Sequence, residues 1–217
     1  MYYICTMIAV ITGDLIHSRK FKNPLEWMLP FKKLLSEIGL QPEVWEIYRG
    51  DSFQIVVKQP ETVLLFAIRL KATIKCIRGL DVRMGIGIGT LDYKAARVSE
   101  SNGEAFVFSG EKFDRLKVDK QNLALKTMWN DFDNEMNLYL RLALIVMDDW
   151  TVNSAEFVSL SLQNQKRNQQ ALAELLGISQ SSVSERQKRA HLLEILDVEM
   201  HFRSKILKLI QSESLTS

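Results

Sequence analysis

Val44-Trp45-Glu46-Ile47-Tyr48-Arg49-Gly50-Asp51-Ser52-Phe53-Gln54-Ile55-Val56-Val57 reads as two β-runs folded back on each other at Arg49-Gly50-Asp51. A Gly-Asp pair between two strand-like runs is hairpin chemistry, because both residues tolerate the backbone conformations that a tight reversal needs. Trp45, Ile47 and the ring of Tyr48 supply β-favouring bulk before the turn. After it, Phe53, Ile55 and Val57 alternate with Ser52, Gln54 and Val56 at period two, a pattern that buries one face. The Asp51 carboxylate is left at the tip of the hairpin, within reach of a cation or a phosphate-bearing ligand. The plainer reading is that Gly-Asp is there to make the turn.

Upstream, residues 3–12 form a near-continuous apolar run rich in β-branched residues, as in a strand buried on both faces. It ends at Gly13-Asp14, and ligand chemistry in sheet folds commonly sits at such strand ends. A helix is predicted over residues 24–38, with Pro24 near its start, Gly39 as its stop and Pro30 as a point of kinking or splitting. Downstream, Pro60-Glu61 opens a helix over residues 61–78. In residues 82–90, Val82, Met84, Ile86 and Ile88 alternate with Arg83, Gly85, Gly87 and Gly89. Three alternate glycines leave one strand face bare for the close approach of a helix or a ligand. A helix over residues 105–116 and a short strand over 123–127 complete the order β-α-β-β-α-β-(α)-β.

That order matches an α+β fold of the ferredoxin-like or palm kind, an antiparallel-containing sheet with helices on one side. In such a fold the end of the first strand and the hairpin tip are neighbours, so Asp14 and Asp51 are expected to face each other. Two adjacent carboxylates repel unless a cation lies between them, and oxygen-only ligation suits Mg²⁺, which is the expected ion. The competing reading is two structural turns.

Composition excludes several classes. A net charge of +2 gives no global field toward nucleic acid or membrane, so any such binding must come from a local patch. Cys5 and Cys76 lie in apolar runs without metal-ligand spacing, as buried thiols in a reducing compartment would. No segment reaches the roughly 18 unbroken apolar residues of a membrane helix. A cytoplasmic protein with no membrane partner is expected.

Residues 128–137 are acidic and read as a linker between a first domain, 1–127, and a helical domain, 138–217. Leu138, Leu142, Ile145, Val146 and Trp150 follow at helical spacing, and Ser154 is the expected cap of the next helix. Residues 168–190 carry the clearest pattern in the chain. Ala173 is small enough for two helices to cross, Gly177 permits a tight turn and Ser179 caps the second helix. Leu172, Leu176, Ile178 and Val183 would form the wedge between them. The segment resembles the helix-turn-helix of bacterial transcription factors, although a generic helical hairpin has the same pattern. Gln180, Ser181, Ser182 and Ser184 would face the major groove of double-stranded DNA, with Lys166, Arg167, Arg186, Lys188 and Arg189 at phosphates. The tail, 191–210, is amphipathic, either core or dimer surface, and a homodimer is expected.

Four motifs together carry a family resemblance: residues 11–19 (Ile-Thr-Gly-Asp-Leu-Ile-His-Ser-Arg), 48–54, 83–89 and 103–106. The chain resembles the SatD family and, more distantly, the class III nucleotide cyclase and GGDEF palm domains. The cyclase resemblance implies metal ligation by Asp14 and Asp51, and phosphate or nucleotide contacts from Leu15, Ile16, His17, Ser18 and Arg49. The match departs at Val107 and Glu111, where cyclases carry an Asn and an Arg, and at Ile47, in place of the base-reading lysine. A carboxylate at the place of a phosphate-clamping guanidinium repels the substrate. The expectation is therefore a DNA-binding transcriptional regulator whose cyclase-like domain binds a metal-nucleotide or other phosphate ligand or mediates dimerisation. The alternative is an active Mg²⁺-dependent nucleotidyl cyclase or transferase.

Overall fold

The computed structural model describes residues 7–164 and 168–216. Among them the chain runs β1 (Met7–Ile16), α1 (Leu25–Ser36), β2 (Trp45–Tyr48), β3 (Ser52–Val57), α2 (Val63–Lys75), β4 (Asp81–Thr90), α3 (Glu104–Leu116) and β5 (Leu123–Lys126). Helices α4 (Asn130–Met147), α5 (Val152–Gln163), α6 (Gln169–Leu176), α7 (Gln180–Ala190) and α8 (Leu192–Thr216) follow. The result is a mixed α+β protein with one five-stranded sheet in the order β2-β3-β1-β4-β5.

The hairpin forms where it is expected. Tyr48 pairs with Ser52 and Trp45 with Ile55, with Arg49-Gly50-Asp51 as the turn. Both Arg49 (φ 51°) and Gly50 (φ 93°) are left-handed, and the former is a conformation in which a side chain with a Cβ is uncommon. Phe53, Ile55 and Val57 are buried as the alternation requires.

The first strand differs from expectation. The part of the run before Met7 lies outside the described residues, and β1 continues through Gly13 and Asp14 to Ile16. It is antiparallel to β3 on one side and to β4 on the other. Glycine at 13 lets neighbours close in: a Cβ there would stand 2.4 Å from the Phe53 ring and 2.5 Å from the Arg83 carbonyl oxygen. Asp14 is thus a sheet residue flanked by two strands, opposite Ser52 and Arg83.

Helices cover both faces of the sheet, a correction to the one-sided expectation. Ala9, Ile11, Met84, Ile86 and Ile88 share the main core with α1, α2 and the C-terminal helices, whereas Ile8 and Val10 pack with Ala105 and Phe106 of α3. The bare face of β4 admits α3. A Cβ at Gly85 would lie 2.6 Å from backbone atoms of Ser109 and Phe113, and one at Gly87 only 2.1 Å from the Ala105 carbonyl oxygen. The glycines therefore seat a helix, not a ligand. The Thr12 and Ser109 hydroxyls, 2.9 Å apart and buried, join the two layers.

The segment expected as a linker holds the start of α4, with Phe132 and Met136 in the core. Asn137 continues the sheet edge, donating to the Leu125 carbonyl and accepting from its amide, both at 2.8 Å. The buried stripe of α4 is Phe132, Met136, Leu140, Leu144 and Met147, while Leu138, Leu142 and Ile145 are exposed. The helix carries two apolar stripes, and periodicity alone does not say which one faces inward. Thr151, not Ser154, caps α5, accepting from the Ser154 amide at 3.2 Å. Helix α1 runs as one element through Pro30.

One core spans sheet and C-terminal helices. Lys71 of α2, completely buried, lies 2.7 Å from Asp81 and 2.6 Å from Asp148, so one ammonium joins α2, β4 and the end of α4. Trp150 donates to the Ala190 carbonyl at 3.0 Å, which fixes the end of α7 to the α4–α5 turn. Among the described residues, no helix is long and apolar enough to cross a membrane.

Candidate functional site

A cleft of about 610 Å³ opens on the α3 side of the sheet, at the end of β1. It is lined by Asp14 and Arg83, by His17–Lys20, by Arg49, Asp51 and Ser52 of the hairpin tip, and by Phe113, Asp114 and Lys117 at the C-terminal end of α3. The topology that places β1 between β3 and β4 brings these segments together. Asp14 and Asp51 do meet in one cleft, but each is held by another group.

Arg83 stands directly across the β1–β4 pair from Asp14. Its Nε donates to Asp14 Oδ1 at 2.9 Å and its Nη2 to Oδ2 at 2.5 Å, a bidentate pair in which both side chains are less than a fifth exposed. Asp51 accepts from the Ser18 hydroxyl at 2.5 Å, and its carbonyl accepts from the Leu15 amide at 3.1 Å. These two bonds fasten the segment after β1 to the hairpin tip, with His17 in a left-handed conformation (φ 69°) at the bend. Burial raises the pKa of the neighbouring Tyr48 phenol above its ordinary value.

Mg²⁺ takes near-octahedral oxygen ligation with one or two carboxylates. Each Asp14 oxygen already accepts from one guanidinium whose charge neutralises the carboxylate, so a cation bound there would sit against a like charge. The arrangement does not fit a two-carboxylate Mg²⁺ centre. Among the described residues, no group of three or more His, Cys, Asp or Glu could hold a metal.

Of the segment expected to wrap phosphates, Leu15 is a core residue and Ile16 is paired within the sheet opposite Asp81, so only His17 and Ser18 leave the strand. Arg49 lies exposed at the tip and lines the cleft. Val107 is half exposed on α3, and Glu111 accepts from Lys126 of β5. Neither lines the cleft.

The charge balance of the cleft is cationic. Arg19, Lys20, Arg49, Arg83 and Lys117 line it with Asp14, Asp51 and Asp114, two more positive groups than negative. Arg19, Lys20, Arg83 and Lys117 are lining cations that the sequence reading does not name as site residues, and the signal that finds Arg83 is its cross-strand register with Asp14.

A second candidate surface lies on α6 and α7. Asn168 caps α6, accepting from the Ala171 amide, and Gly177 ends it in the left-handed conformation (φ 64°). Ser179 then caps α7. Leu172, Ala173, Val183 and Ala190 are buried, while Gln180, Ser181, Lys188 and Arg189 are exposed and Ser182 and Ser184 are half-buried. Arg186 donates to Glu156 of α5 at 2.9 Å, so its guanidinium serves a helix contact. Arg189 stands 3.4 Å from Glu185. Lys166 and Arg167 lie outside the described residues.

A family model described as the SatD family matches residues 7–199, which span the sheet and the helices as far as α8. The chain belongs to the SatD family. Among curated proteins no match to it is found. In this SatD chain the cleft and the α6–α7 surface both fall within the matched span.

Proposed function

We propose that this SatD-family chain is a DNA-binding transcriptional regulator in which α6 and α7 form a helix-turn-helix and the cleft beside β1 receives a phosphate-bearing ligand. The observation that carries the reading is the α6–α7 unit itself. Two capped helices join through a left-handed Gly177, Leu172, Ala173, Val183 and Ala190 are buried, and Gln180, Ser181, Lys188 and Arg189 stand outward at the second helix. Exposed polar side chains at the start of such a helix can reach base edges, and cations near its end can meet phosphates.

The sheet order supports a ferredoxin-like, palm-type first domain, since β2-β3-β1-β4 is the antiparallel arrangement that a doubled β-α-β unit makes, with β5 added in parallel to β4. In this reading residues 1–127 are the ligand domain and 138–217 the DNA domain, joined through the Lys71–Asp148 contact and the Trp150–Ala190 bond. Two-fold recognition needs two copies. The exposed Leu138, Leu142 and Ile145 on α4 offer an apolar surface for that contact. Nucleotidyl cyclisation is the second reading: Val107 and Glu111 lie away from the cleft, so they neither clamp nor repel a phosphate there.

The test is selection of duplexes from random DNA at low salt, followed by anisotropy titration. Retention of a defined sequence, weakened uniformly by Lys188→Ala and Arg189→Ala with a reduced salt slope, is the expected result. Failure to retain any duplex removes the regulator reading.

A further inference from the structure

Resting on the reading of the cleft as a ligand site, we propose that it binds an oligophosphate anion directly, without a divalent cation, and that Asp14 positions Arg83 instead of holding a metal. A divalent cation is held by carboxylate charge that nothing else meets, and that of Asp14 is already met by Arg83, which donates to both of its oxygens. The pair closes a ring of two parallel hydrogen bonds, which fixes the guanidinium plane as well as its position. Arg83 has a third nitrogen that Asp14 does not engage, and that edge is available to a phosphate oxygen.

The remaining cations are unspent. Among the described residues no carboxylate pairs with Arg19, Lys20, Arg49 or Lys117, although all four line the cleft. They belong to three separate segments, the one after β1, the hairpin tip and the end of α3, that line the same cleft. The excess of two positive charges suits a ligand with several negative charges more than a single monoanion. A volume of about 610 Å³ exceeds what pyrophosphate fills and admits a nucleoside di- or triphosphate. Phe113, half-buried on the wall, and the exposed His17 imidazole are the rings there against which a base could stack. A divalent cation would be drawn to the phosphates yet would add charge to a cleft that is already positive.

Calorimetry on the full chain, with inorganic triphosphate, ATP and GTP as probes, in EDTA and then in Mg²⁺, tests this. Binding in EDTA that is equal to or tighter than in Mg²⁺ is expected. Arg83→Gln and Arg49→Ala should each weaken it roughly 10- to 100-fold, the range for a lost charge-assisted hydrogen bond. Asp14→Asn should cost less than Arg83→Gln, and the double variant should be no weaker than Arg83→Gln alone, because Asp14 acts through Arg83. Equal affinity for triphosphate and the nucleotides assigns the phosphates alone; tighter nucleotide binding adds the base. If Arg83→Gln does not fold, Arg49→Ala and Lys117→Ala, both at exposed positions, carry the same test. Binding that requires Mg²⁺ and disappears in Asp14→Asn while surviving Arg83→Gln overturns the proposal in favour of a metal centre. Absence of binding to any probe in either condition overturns it along with the ligand reading, whereas duplex retention by the same preparation would leave the DNA reading standing.

Discussion

Gly87→Ala puts one methyl group where the backbone of α3 already lies. Its Cβ would stand 2.1 Å from the Ala105 carbonyl oxygen and 2.4 Å from the Ser109 amide nitrogen, both backbone atoms that no rotamer change can move. Ordinary contact begins near 3.4 Å, so α3 must shift by more than 1 Å or β4 must bow away. Either motion separates the buried Thr12 and Ser109 hydroxyls and opens the small core of Ile8, Val10, Val98, Ala105 and Phe106. Overpacking costs about 1–3 kcal/mol, and the upper half of that range applies where the obstacle is backbone. At about 2–4 °C per kcal/mol for a chain of this size, the melting midpoint should fall by roughly 4–12 °C. Gly110→Ala is the matched control. It lies within α3, a Cβ there meets nothing within 4 Å, and alanine in a helix is favoured by about 0.5–1 kcal/mol, so its midpoint should rise. Both follow from thermal and urea unfolding monitored by circular dichroism and tryptophan fluorescence. A Gly87→Ala protein as stable as the wild type would refute the seating of α3 on the glycine face.

Three further outcomes are expected. Lys71→Ala removes the buried cation shared by Asp81 and Asp148 and should destabilise by an amount near the low end of about 3–5 kcal/mol in urea titration, because Lys75 still meets Asp81 at 3.1 Å and Asp148 is a third exposed; adding Asp148→Asn should partly recover the loss. Burial pushes the Cys76 thiol up to about 11. In a Cys5→Ser background, alkylation of Cys76 at pH 8 should then run on the order of 100-fold slower than that of an exposed thiol with a pKa of about 8.5, and accelerate as pH approaches 11. The sign for stability is the same: the folded chain keeps the thiol protonated above the pH at which the unfolded chain ionises it, so this contribution is full below pH 9 and is lost as pH rises toward 11. Arg186→Ala removes the tie to Glu156 and should lower stability by about 0.5–1 kcal/mol, while weakening DNA retention less than Lys188→Ala does. Equal losses of retention in the two variants would place Arg186 at the DNA instead.

Local chemistry was legible wherever a few neighbouring residues decide the backbone. The hairpin at Arg49-Gly50-Asp51, the turn at Gly177 and the Ser179 cap all form at the expected positions. The Thr151 cap was missed because Thr151 and Ser154 are both competent caps, and only the start of the helix distinguishes them. Facing was less legible. Leu138, Leu142 and Ile145 have a valid helical period, yet α4 buries Phe132, Met136 and Leu140, since the choice depends on what the helix packs against. At the cleft, Asp14 and Asp51 could be named from their Gly-Asp contexts. Their partners Arg83 and Ser18 could not, because 69 and 33 residues separate each pair and no local rule spans that distance.

By itself the sequence determined the strand and helix order, the alternation that buries one side of β3, and the bare glycine face of β4, because these depend on side-chain volume and period along one segment. Only the tertiary structure decided that α3 fills that glycine face, that β1 runs past Asp14 between two strands, and that Arg83 takes both oxygens of Asp14. The physical reason is register. A one-residue slip in the β1–β4 pair would carry Arg83 to the opposite face and free the carboxylate, and that register is fixed by the packing of the whole sheet between its two helical layers.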